Sequence, residues 1–172
     1  MNFQKIKLLA LDVDGVLTDG IIFENAQGEL FKNFYAKDGL AINAAQKQGL
    51  KVAFITGRGN GIVAYRAREL GVPYCFEEVK DKVQVLQQLM DQFGLTAEEV
   101  AYMGDDLNDL GAFKLAGVKL APADAAADVV QRADYVAAAP GGRGAVREVI
   151  EKIMRDQGKW SEIVEKNLGS RQ

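Results

Sequence analysis

Residues 6–15 of the chain read Ile-Lys-Leu-Leu-Ala-Leu-Asp-Val-Asp-Gly, and this stretch decides the fold. Residues 6–11 are nearly continuously apolar, which is typical of a strand buried on both faces, and the Asp-Val-Asp-Gly that follows ends the strand in a tight turn. Burial on both faces is characteristic of a parallel sheet covered by helices on each side. The stretch therefore predicts an α/β fold with a polar turn at the carboxyl end of its first strand.

The same pattern, a short apolar run followed by a helical stretch, repeats along the chain. Strands are predicted at residues 6–11, 51–55, 73–76, 100–103, 118–121 and 134–136, and helices at 39–48, 60–70, 81–93, 107–116, 125–132 and 145–156. This alternation predicts a doubly wound, Rossmann-like parallel sheet with right-handed crossovers. The length of 172 residues favours a single domain over residues 1–172, with a C-terminal tail at 158–172.

One segment, residues 21–34, interrupts the alternation. Two strand-like arms flank a turn that contains Asn25 and Gly28, which predicts a β-hairpin inserted after the first strand. The arms hold too many apolar side chains for a hairpin that stands free in solvent: Ile21, Ile22, Phe23, Leu30, Phe31 and Phe34. We therefore expect a buried or subunit-contacting face on this hairpin.

Composition excludes several classes of function. The chain has 21 Lys and Arg against 24 Asp and Glu, a formal charge of −3 and no basic run, so we expect no nucleic-acid partner. It has no histidine and one cysteine, Cys75, which excludes Ser-His-Asp and Cys-His catalysis, a CxxC metal site and an intrachain disulfide. The N-terminal apolar run is too short for a signal peptide or a membrane span, so we expect a cytoplasmic protein without membrane contact.

Polar residues follow three of the predicted strands at the points where the strands end. They are Asp12, Asp14 and Gly15 after the first, Thr56, Gly57 and Arg58 after the second, and Gly104, Asp105, Asp106 and Asp109 after the fourth. Ligands of a doubly wound sheet bind at this edge, and carboxylates that meet there repel one another unless a cation lies between them. Because the chain has no histidine and no second cysteine, the expected cation is Mg²⁺.

Carboxylates, Mg²⁺, a lysine and a hydroxyl together suit phosphoryl transfer. Two Asp residues at i and i+2 can point into one pocket, where one attacks phosphorus and the other protonates the leaving oxygen and then activates water. Thr56 and Lys82 are expected to hold the phosphate oxygens, and Asp105 to complete the metal site. Asp106 and Asp109 are expected to orient the loop and the ligands.

Four motifs resemble, in chain order, those of the haloacid dehalogenase (HAD) superfamily of phosphohydrolases. They are Asp12-x-Asp14-Gly-x-x-Thr18, Thr56-Gly57-Arg58, Lys82 and Gly104-Asp105-Asp106-x-x-Asp109. Longer stretches, at residues 12–20, 35–39, 55–58, 100–107 and 141–149, resemble the 3-deoxy-D-manno-octulosonate 8-phosphate (KDO 8-phosphate) phosphatases, which lack a large cap domain. The resemblance covers nearly the whole chain, and its Asp-Lys dipeptide favours Lys82 over Lys80 as the phosphate-binding lysine.

The resemblance implies an Mg²⁺-dependent phosphomonoesterase that hydrolyses KDO 8-phosphate through an aspartyl-phosphate, in lipopolysaccharide precursor synthesis. It implies Asp12 as nucleophile and metal ligand, Asp14 as general acid/base with its backbone carbonyl on the metal, and Asp105 as the other ligand. The positions implied to contact substrate are Asp14, Tyr35, Ala36, Lys37, Asp38, Gly39, Asn43, Gly57, Arg58, Arg66, Lys82 and Arg143. Members of this group form homotetramers in which the hairpins associate and neighbouring subunits complete each active site.

Two departures from the group's pattern leave the substrate open. Ala126 and Ala127 stand where the group commonly has His-Pro, and Asp109-Leu-Gly111 replaces a more usual Trp-Pro or Leu-Pro type of continuation. A phosphatase of the related nine-carbon ketodeoxy acid 9-phosphate is therefore an alternative, although Arg58 and Arg143 favour the eight-carbon acid, since guanidinium groups suit a carboxylate. A non-hydrolytic phospho-receiver or regulatory module is an alternative of a different class.

Five further expectations concern single features. Arg58 and Arg66 are eight residues apart, which allows both to lie on one helix face. Residues 35–39 are expected to form a loop, and residues 141–144, Gly-Gly-Arg-Gly, a lid over a neighbour's site. Cys75 is expected to be a small buried hydrophobe, and Trp160 to pack or to contact another subunit.

Overall fold

A computed structural model of the chain describes residues 3–168. Its main sheet contains β1 (Leu8–Leu11), β4 (Lys51–Ile55), β5 (Tyr74–Phe76), β6 (Val100–Met103), β7 (Val118–Ala121) and β8 (Tyr135–Val136). The six strands are all parallel and lie in the order β5-β4-β1-β6-β7-β8. This confirms the predicted doubly wound sheet, with β1 near its centre.

Helices cover both faces of the sheet. They are α1 (Ala36–Lys47), α2 (Ile62–Leu70), α3 (Lys82–Phe93), α4 (Leu110–Phe113), α5 (Ala127–Val130), α6 (Ala145–Asp156) and α7 (Trp160–Leu168). Single 3-10 turns occur at Phe3–Lys5, Ala97–Glu99 and Leu107–Asp109. Within residues 3–168, no helix combines the length and the apolar composition needed to cross a bilayer.

Two hydrophobic cores lie on opposite sides of the sheet, and β1 contributes to both. Leu9 and Leu11 pack in one core with residues of α1, α2 and α6, whereas Leu8 and Ala10 pack in the other with residues of α3, α4 and α5. Because successive side chains of a strand point to opposite faces, a strand buried on both sides must be apolar throughout. The cores fix β1 in the middle of the molecule and place Asp12 at its carboxyl end.

The predicted hairpin is present as β2 (Phe23–Asn25) and β3 (Gly28–Phe31). The Gln27 N–H donates to the Asn25 side-chain oxygen at 2.9 Å in the turn, and the Phe23 and Phe31 rings stack at 4.4 Å. Ile21 and Phe31 are each more than half exposed. The apolar face therefore points outward in the single chain, and its contact with another subunit stays a prediction.

The prediction of a loop at residues 35–39 was wrong. Ala36 begins α1, so residues 36–39 form the first turn of a helix that was expected to start at 39. Gly39 has a packing role instead of a turning role, because a Cβ there would lie 2.5 Å from the Nη2 atom of Arg66. A larger residue at position 39 would therefore have to displace the Arg66 side chain.

Two other predicted helices were too long. The helices expected at 107–116 and 125–132 shrink to α4 and α5, of four residues each. In α5 only Val129 is buried, which leaves little tertiary packing to extend the helix. The tail, by contrast, contains the helix α7, in which Trp160 is buried with the Arg147 guanidinium 4.9 Å from the ring centroid. This confirms a packing role for Trp160.

Candidate active site

Asp12 stands directly after the central strand β1 and is almost fully buried. Its main-chain N–H donates to the carbonyl of Met103, and its Oδ1 atom accepts from the Val13 N–H at 2.7 Å and lies 3.0 Å from Lys82 Nζ. Burial and the nearby charge of Asp109 raise the pKa of Asp12 well above its usual value, while Lys82 opposes the shift. The carboxylate is therefore held rigidly and poorly solvated.

Lys82 is the first residue of α3, whose N-terminus is capped by the Asp81 side chain. Its ammonium group lies 2.7 Å from Asp109 Oδ1 as well as 3.0 Å from Asp12. Burial alone would lower the pKa of Lys82, but the charges of Asp12 and Asp109 outweigh it and raise the pKa. Lys80 is exposed to solvent, so the structure places Lys82, and not Lys80, beside the predicted nucleophile.

Asp109 is the anchor of this region and is completely buried. Its Oδ1 atom accepts from the Tyr102 hydroxyl at 2.7 Å as well as from Lys82, and its Oδ2 atom accepts from the N–H groups of Asp105 at 3.0 Å and Asp106 at 3.4 Å. Asp106 itself is exposed and caps the Leu107 N–H at 2.7 Å. These contacts support the predicted orienting role of Asp109 for the loop after β6.

Three carboxylates converge at this point. Oxygen atoms of Asp12, Asp105 and Asp109 lie within 4.8 Å of one another. Burial, together with the charges of Asp109 and Asp106, raises the pKa of Asp105 to about 6. An all-oxygen donor set whose members repel one another fits a hard divalent cation such as Mg²⁺.

Gly15 allows Asp105 to approach the first motif. The residue has a φ of +85°, which favours glycine, and a Cβ at this position would lie only 2.0 Å from Asp105 Oδ2. The turn after β1 and the loop after β6 are therefore in contact at Gly15. Any side chain at position 15 would displace the Asp105 carboxylate.

Asp14 is held from two sides. Its Oδ2 atom accepts from the Thr56 hydroxyl at 3.4 Å, and its Oδ1 atom lies 2.5 Å from Lys32 Nζ. Thr56 is buried, and its hydroxyl oxygen also accepts from the Arg58 N–H at 3.1 Å. Lys32 was not predicted as a site residue. The sequence gives one sign of its role, which is that a charged residue follows Phe31 in an otherwise apolar arm of the hairpin segment.

A cleft of about 500 Å³ opens above these groups at the carboxyl edge of the sheet. Its lining comprises Asp12, Asp14, Gly20, Thr56, Gly57, Arg58, Asp105, Asp106, Leu107 and Asn108. The structure thus brings together the predicted residues of the first, second and fourth motifs, with Lys82 in contact with Asp12. Tyr102, which also supports the site, was not predicted, since a single aromatic residue in an apolar strand gives no sign of its hydroxyl contact.

Other predicted substrate residues line a different groove of about 610 Å³ between α1, α2 and α7. They are Ala36, Gly39, Asn43 and Arg66. Arg66 forms an ion pair with Glu69 at 2.6 Å, and Asn43 donates to the Leu70 carbonyl at 3.4 Å. Arg58 lies before the start of α2 at Ile62, so the prediction that it shares a helix face with Arg66 was wrong.

Three other predicted substrate residues, Tyr35, Lys37 and Asp38, lie at the start of α1. Tyr35 precedes α1, and Lys37 lies with its ammonium 6.0 Å from the Tyr35 ring centroid. Asp38 is buried, its Oδ1 atom accepts from the Arg147 N–H at 2.8 Å, and its buried Oδ2 atom has no hydrogen-bond partner among the described residues. Burial raises the pKa of Asp38 to about 6.

The loop at residues 141–144 packs against its own chain. The Gly142 N–H donates to the Val16 carbonyl at 3.0 Å, and the Gly141 N–H donates to Asp124 Oδ1 at 2.8 Å. Arg143 is largely exposed, with its Nη2 atom 3.6 Å from Asp19 Oδ2. The loop therefore lies beside the first motif, and a role as a lid for a neighbour stays a prediction. Cys75, expected in the core, is only partly buried.

Comparison with known proteins identifies the family. Residues 29–117 match the family model of the haloacid dehalogenase-like hydrolases. The chain is 41% identical over 159 residues to the 3-deoxy-D-manno-octulosonate 8-phosphate phosphatase KdsC of Escherichia coli strain K12. The aligned residues cover 92% of this chain and 85% of that protein. This match excludes the receiver-domain alternative as a family assignment.

Solved structures agree in fold and in family. The cobalt-bound deoxy-D-mannose-octulosonate 8-phosphate phosphatase of Haemophilus influenzae matches with a TM-score of 0.90 at 40% identity, over 94% of both chains. The 3-deoxy-D-manno-octulosonate 8-phosphate phosphatase of Moraxella catarrhalis, in complex with magnesium, phosphate and KDO, matches with a TM-score of 0.91 at 38% identity, over 95% of this chain and 94% of that one. With its motif residues gathered in one cleft, the chain belongs to the KDO 8-phosphate phosphatase family of haloacid dehalogenase-like hydrolases.

Proposed function

We propose that this chain is a phosphomonoesterase that hydrolyses KDO 8-phosphate to KDO and phosphate. The observation that carries the proposal is the placement of two carboxylates, Asp12 and Asp14, in one cleft with Thr56 and Asp105, together with the contact of the Lys82 ammonium with Asp12. The substrate is supported by the E. coli relative, named for this activity, and by the M. catarrhalis relative, which binds KDO and phosphate.

The first half-reaction transfers the phosphoryl group to Asp12. An Asp12 oxygen attacks phosphorus, the bond from phosphorus to the sugar oxygen breaks, and that oxygen keeps the electron pair and takes a proton from the Asp14 carboxyl group. Lys82, 3.0 Å from Asp12 Oδ1, fixes the orientation of the nucleophile. The products of this step are the free sugar acid, an aspartyl-phosphate at Asp12 and an ionised Asp14.

The second half-reaction regenerates the site. Water attacks phosphorus and gives its proton to the Asp14 carboxylate, while the bond from phosphorus to the Asp12 oxygen breaks. Phosphate leaves, Asp12 is again a carboxylate and Asp14 is again protonated. A phospho-receiver needs no second carboxylate for this step, so the Asp14 position beside Asp12 supports turnover over storage of the phosphoryl group.

A divalent cation, with Mg²⁺ the proposed species, fits the acidic side of the cleft. Asp12, Asp105 and the main-chain carbonyl of Asp14 would hold it. When bound, it neutralises phosphate and carboxylate charge, and so lets a negative nucleophile approach a negative ester. The pKa values of Asp12 and Asp105 are raised mainly by burial and further by the nearby charge of Asp109, and a bound cation would stabilise both groups in their charged form.

Neighbouring subunits complete the substrate site in the proposed homotetramer. Two observations support this: Asn43 and Arg66 line a groove separate from the Asp12 cleft, and the hairpin presents exposed Ile21 and Phe31. Side chains from another copy can then meet the sugar-acid end of the substrate while Asp12 and Lys82 act on its phosphate. Location in the cytoplasm, expected from the sequence, stays a prediction.

Phosphate release tests the proposed activity. Purified protein with Mg²⁺ is assayed on KDO 8-phosphate, the nine-carbon ketodeoxy acid 9-phosphate and hexose phosphates, beside Asp12→Asn and the surface control Asp128→Asn. We expect a strong preference for the eight-carbon ester, abolished in Asp12→Asn and by chelator and retained in Asp128→Asn. Preference for the nine-carbon ester would overturn the substrate, and no release from any ester would overturn the phosphatase.

Subunit complementation tests the shared site. Asp12→Asn and Arg66→Ala are each expected to be inactive on the sugar acid ester, the first through the nucleophile and the second through substrate binding. When the two variants are expressed together, mixed assemblies combine an intact cleft with an intact neighbouring groove. Activity above the sum of the separate variants is the expected result, and an unchanged sum, or a monomer by light scattering, would contradict the proposal.

A further inference from the structure

Lys32 forms a buried ion pair with Asp14 that the mechanism above does not use. Its side chain is 1% exposed, and its Nζ atom lies 2.5 Å from Asp14 Oδ1. The two residues are 18 positions apart in sequence, and they meet because Lys32 directly follows β3 as the hairpin returns toward the sheet. The inserted hairpin therefore places a charged side chain against a carboxylate that lines the catalytic cleft.

The two partners differ in exposure. Lys32 is buried, whereas the Asp14 side chain is 23% exposed and lines the cleft. A lysine taken out of water costs free energy unless a counter-charge and hydrogen bonds compensate it. The Lys32 ammonium is therefore held inside the protein, whereas the Asp14 carboxylate faces the cleft in which the substrate is proposed to bind.

Both oxygens of Asp14 are engaged, because Thr56 donates to Oδ2 while Lys32 contacts Oδ1. This arrangement fixes the rotation of the carboxyl group. It also places a positive charge where negative charge remains once Asp14 has given up its proton. Stabilisation by a group that is already in position is most effective as charge develops in the transition state.

We propose that Lys32 is a positioning residue for the general acid: it orients Asp14 toward the leaving oxygen and stabilises the carboxylate left by proton transfer. The inference rests on the proposed phosphatase function and deepens it. In the step concerned, the proton moves from Asp14 to the sugar oxygen as the phosphorus–oxygen bond breaks, and Lys32 neither gains nor loses a proton. The contribution of Lys32 therefore grows with the basicity of the leaving group.

Lys32→Met tests this with a series of esters. The ratio kcat/KM reports steps up to the first departure of the leaving group, so hydrolysis of the aspartyl-phosphate does not affect it. We expect kcat/KM for the alkyl ester KDO 8-phosphate to fall by about 100-fold, the scale of general acid catalysis. For p-nitrophenyl phosphate, whose leaving group needs no proton, we expect a loss below about threefold. Substituted phenyl phosphates should give a steeper dependence on leaving-group basicity than the wild type.

Two further variants separate positioning from folding. Lys5→Met, at the exposed ion pair with Glu98, is the matched control and should leave every ester unchanged. Lys32→Arg keeps the charge at the hairpin, and it should show a smaller loss that still grows with leaving-group basicity. Retained p-nitrophenyl phosphate activity in Lys32→Met shows that the variant folds.

The possible outcomes are distinct. A loss equal for all esters in Lys32→Met and Lys32→Arg, or no loss in either, would overturn the positioning role. Failure of the proposed function appears instead as a wild-type protein that hydrolyses none of the esters.

Discussion

Replacement of Asp109 by asparagine measures how far the site depends on one buried carboxylate. The two oxygens of Asp109 accept from Lys82 and Tyr102 on one side and from the N–H groups of Asp105 and Asp106 on the other. An amide has nearly the same shape but only one acceptor oxygen, so one of the two sides must face an NH₂ group.

The expected cost follows from this geometry. Two donors lose their acceptor, and each unsatisfied donor costs about 1–3 kcal/mol, with the lower end for loop N–H groups that water can reach. Removal of the Asp109 charge also relieves its repulsion of Asp12 and Asp105, which offsets part of the loss. We expect Asp109→Asn to lower the free energy of unfolding of the metal-free protein by about 2–3 kcal/mol, and Tm by about 5–10 °C.

Urea unfolding in chelator at pH 7, followed by circular dichroism, measures this change. Phosphate release with Mg²⁺ should show kcat/KM reduced by about 100-fold, since Lys82 and the Asp105 loop lose their anchor. Asp106→Asn is the matched control, because asparagine caps a helical turn as well as aspartate does, and it should cost less than about 0.5 kcal/mol. A free energy of unfolding for Asp109→Asn equal to that of Asp106→Asn would refute the reasoning.

Three further predictions concern pH, metal and backbone. Folded Asp38 keeps its proton up to a pKa of about 6, against 3.8 ordinarily, so the contribution of Asp38 to stability should fall as pH rises through this window. Asp38→Asn should remove about 2 kcal/mol of the fall in the free energy of unfolding between pH 4 and pH 7, measured in urea. Free Mg²⁺ at about 100 times its Kd should stabilise the protein by about 2.7 kcal/mol, and Asp105→Asn should lose most of the resulting rise in Tm. Gly15→Ala should abolish phosphatase activity and cost more than about 2 kcal/mol, whereas Gly158→Ala, at a φ of +70° with open space around it, should cost about 1 kcal/mol in thermal unfolding.

Much of the sheet could be predicted because its signals are local. The strands at Val100–Met103 and Val118–Ala121 and the helix Ala145–Asp156 have the predicted bounds. Each is a continuous apolar run or a strongly amphipathic stretch with a polar or glycine residue near its ends. The start of α1 could not be predicted, because its N-cap residue, Tyr35, provides no capping side chain and its first turn contains Gly39, a poor helix former.

The catalytic cleft could be predicted for a topological reason. Asp12, Thr56 and Asp105 follow parallel strands, and the carboxyl ends of such strands meet at one edge of the sheet. Lys32 and Tyr102 could not be predicted, because their contacts with Asp14 and Asp109 depend on the path of the hairpin and on the side of the sheet to which Tyr102 points. The position of Arg66 in a separate groove likewise depends on where α2 begins.

Covalent phosphorylation of Asp12 is the central claim, and trapping it is the most direct test. Asp14→Asn removes the base that activates water, and p-nitrophenyl phosphate leaves without needing the acid, so the intermediate should accumulate when the two are mixed with Mg²⁺. Acid quenching followed by peptide mass spectrometry locates the phosphoryl group. We predict nearly one phosphoryl group per chain on Asp12, and none when Asp12 is asparagine. Steady phosphate release by the wild type with Asp12 unmodified in the quenched Asp14→Asn protein would contradict this, because water would then attack the ester directly.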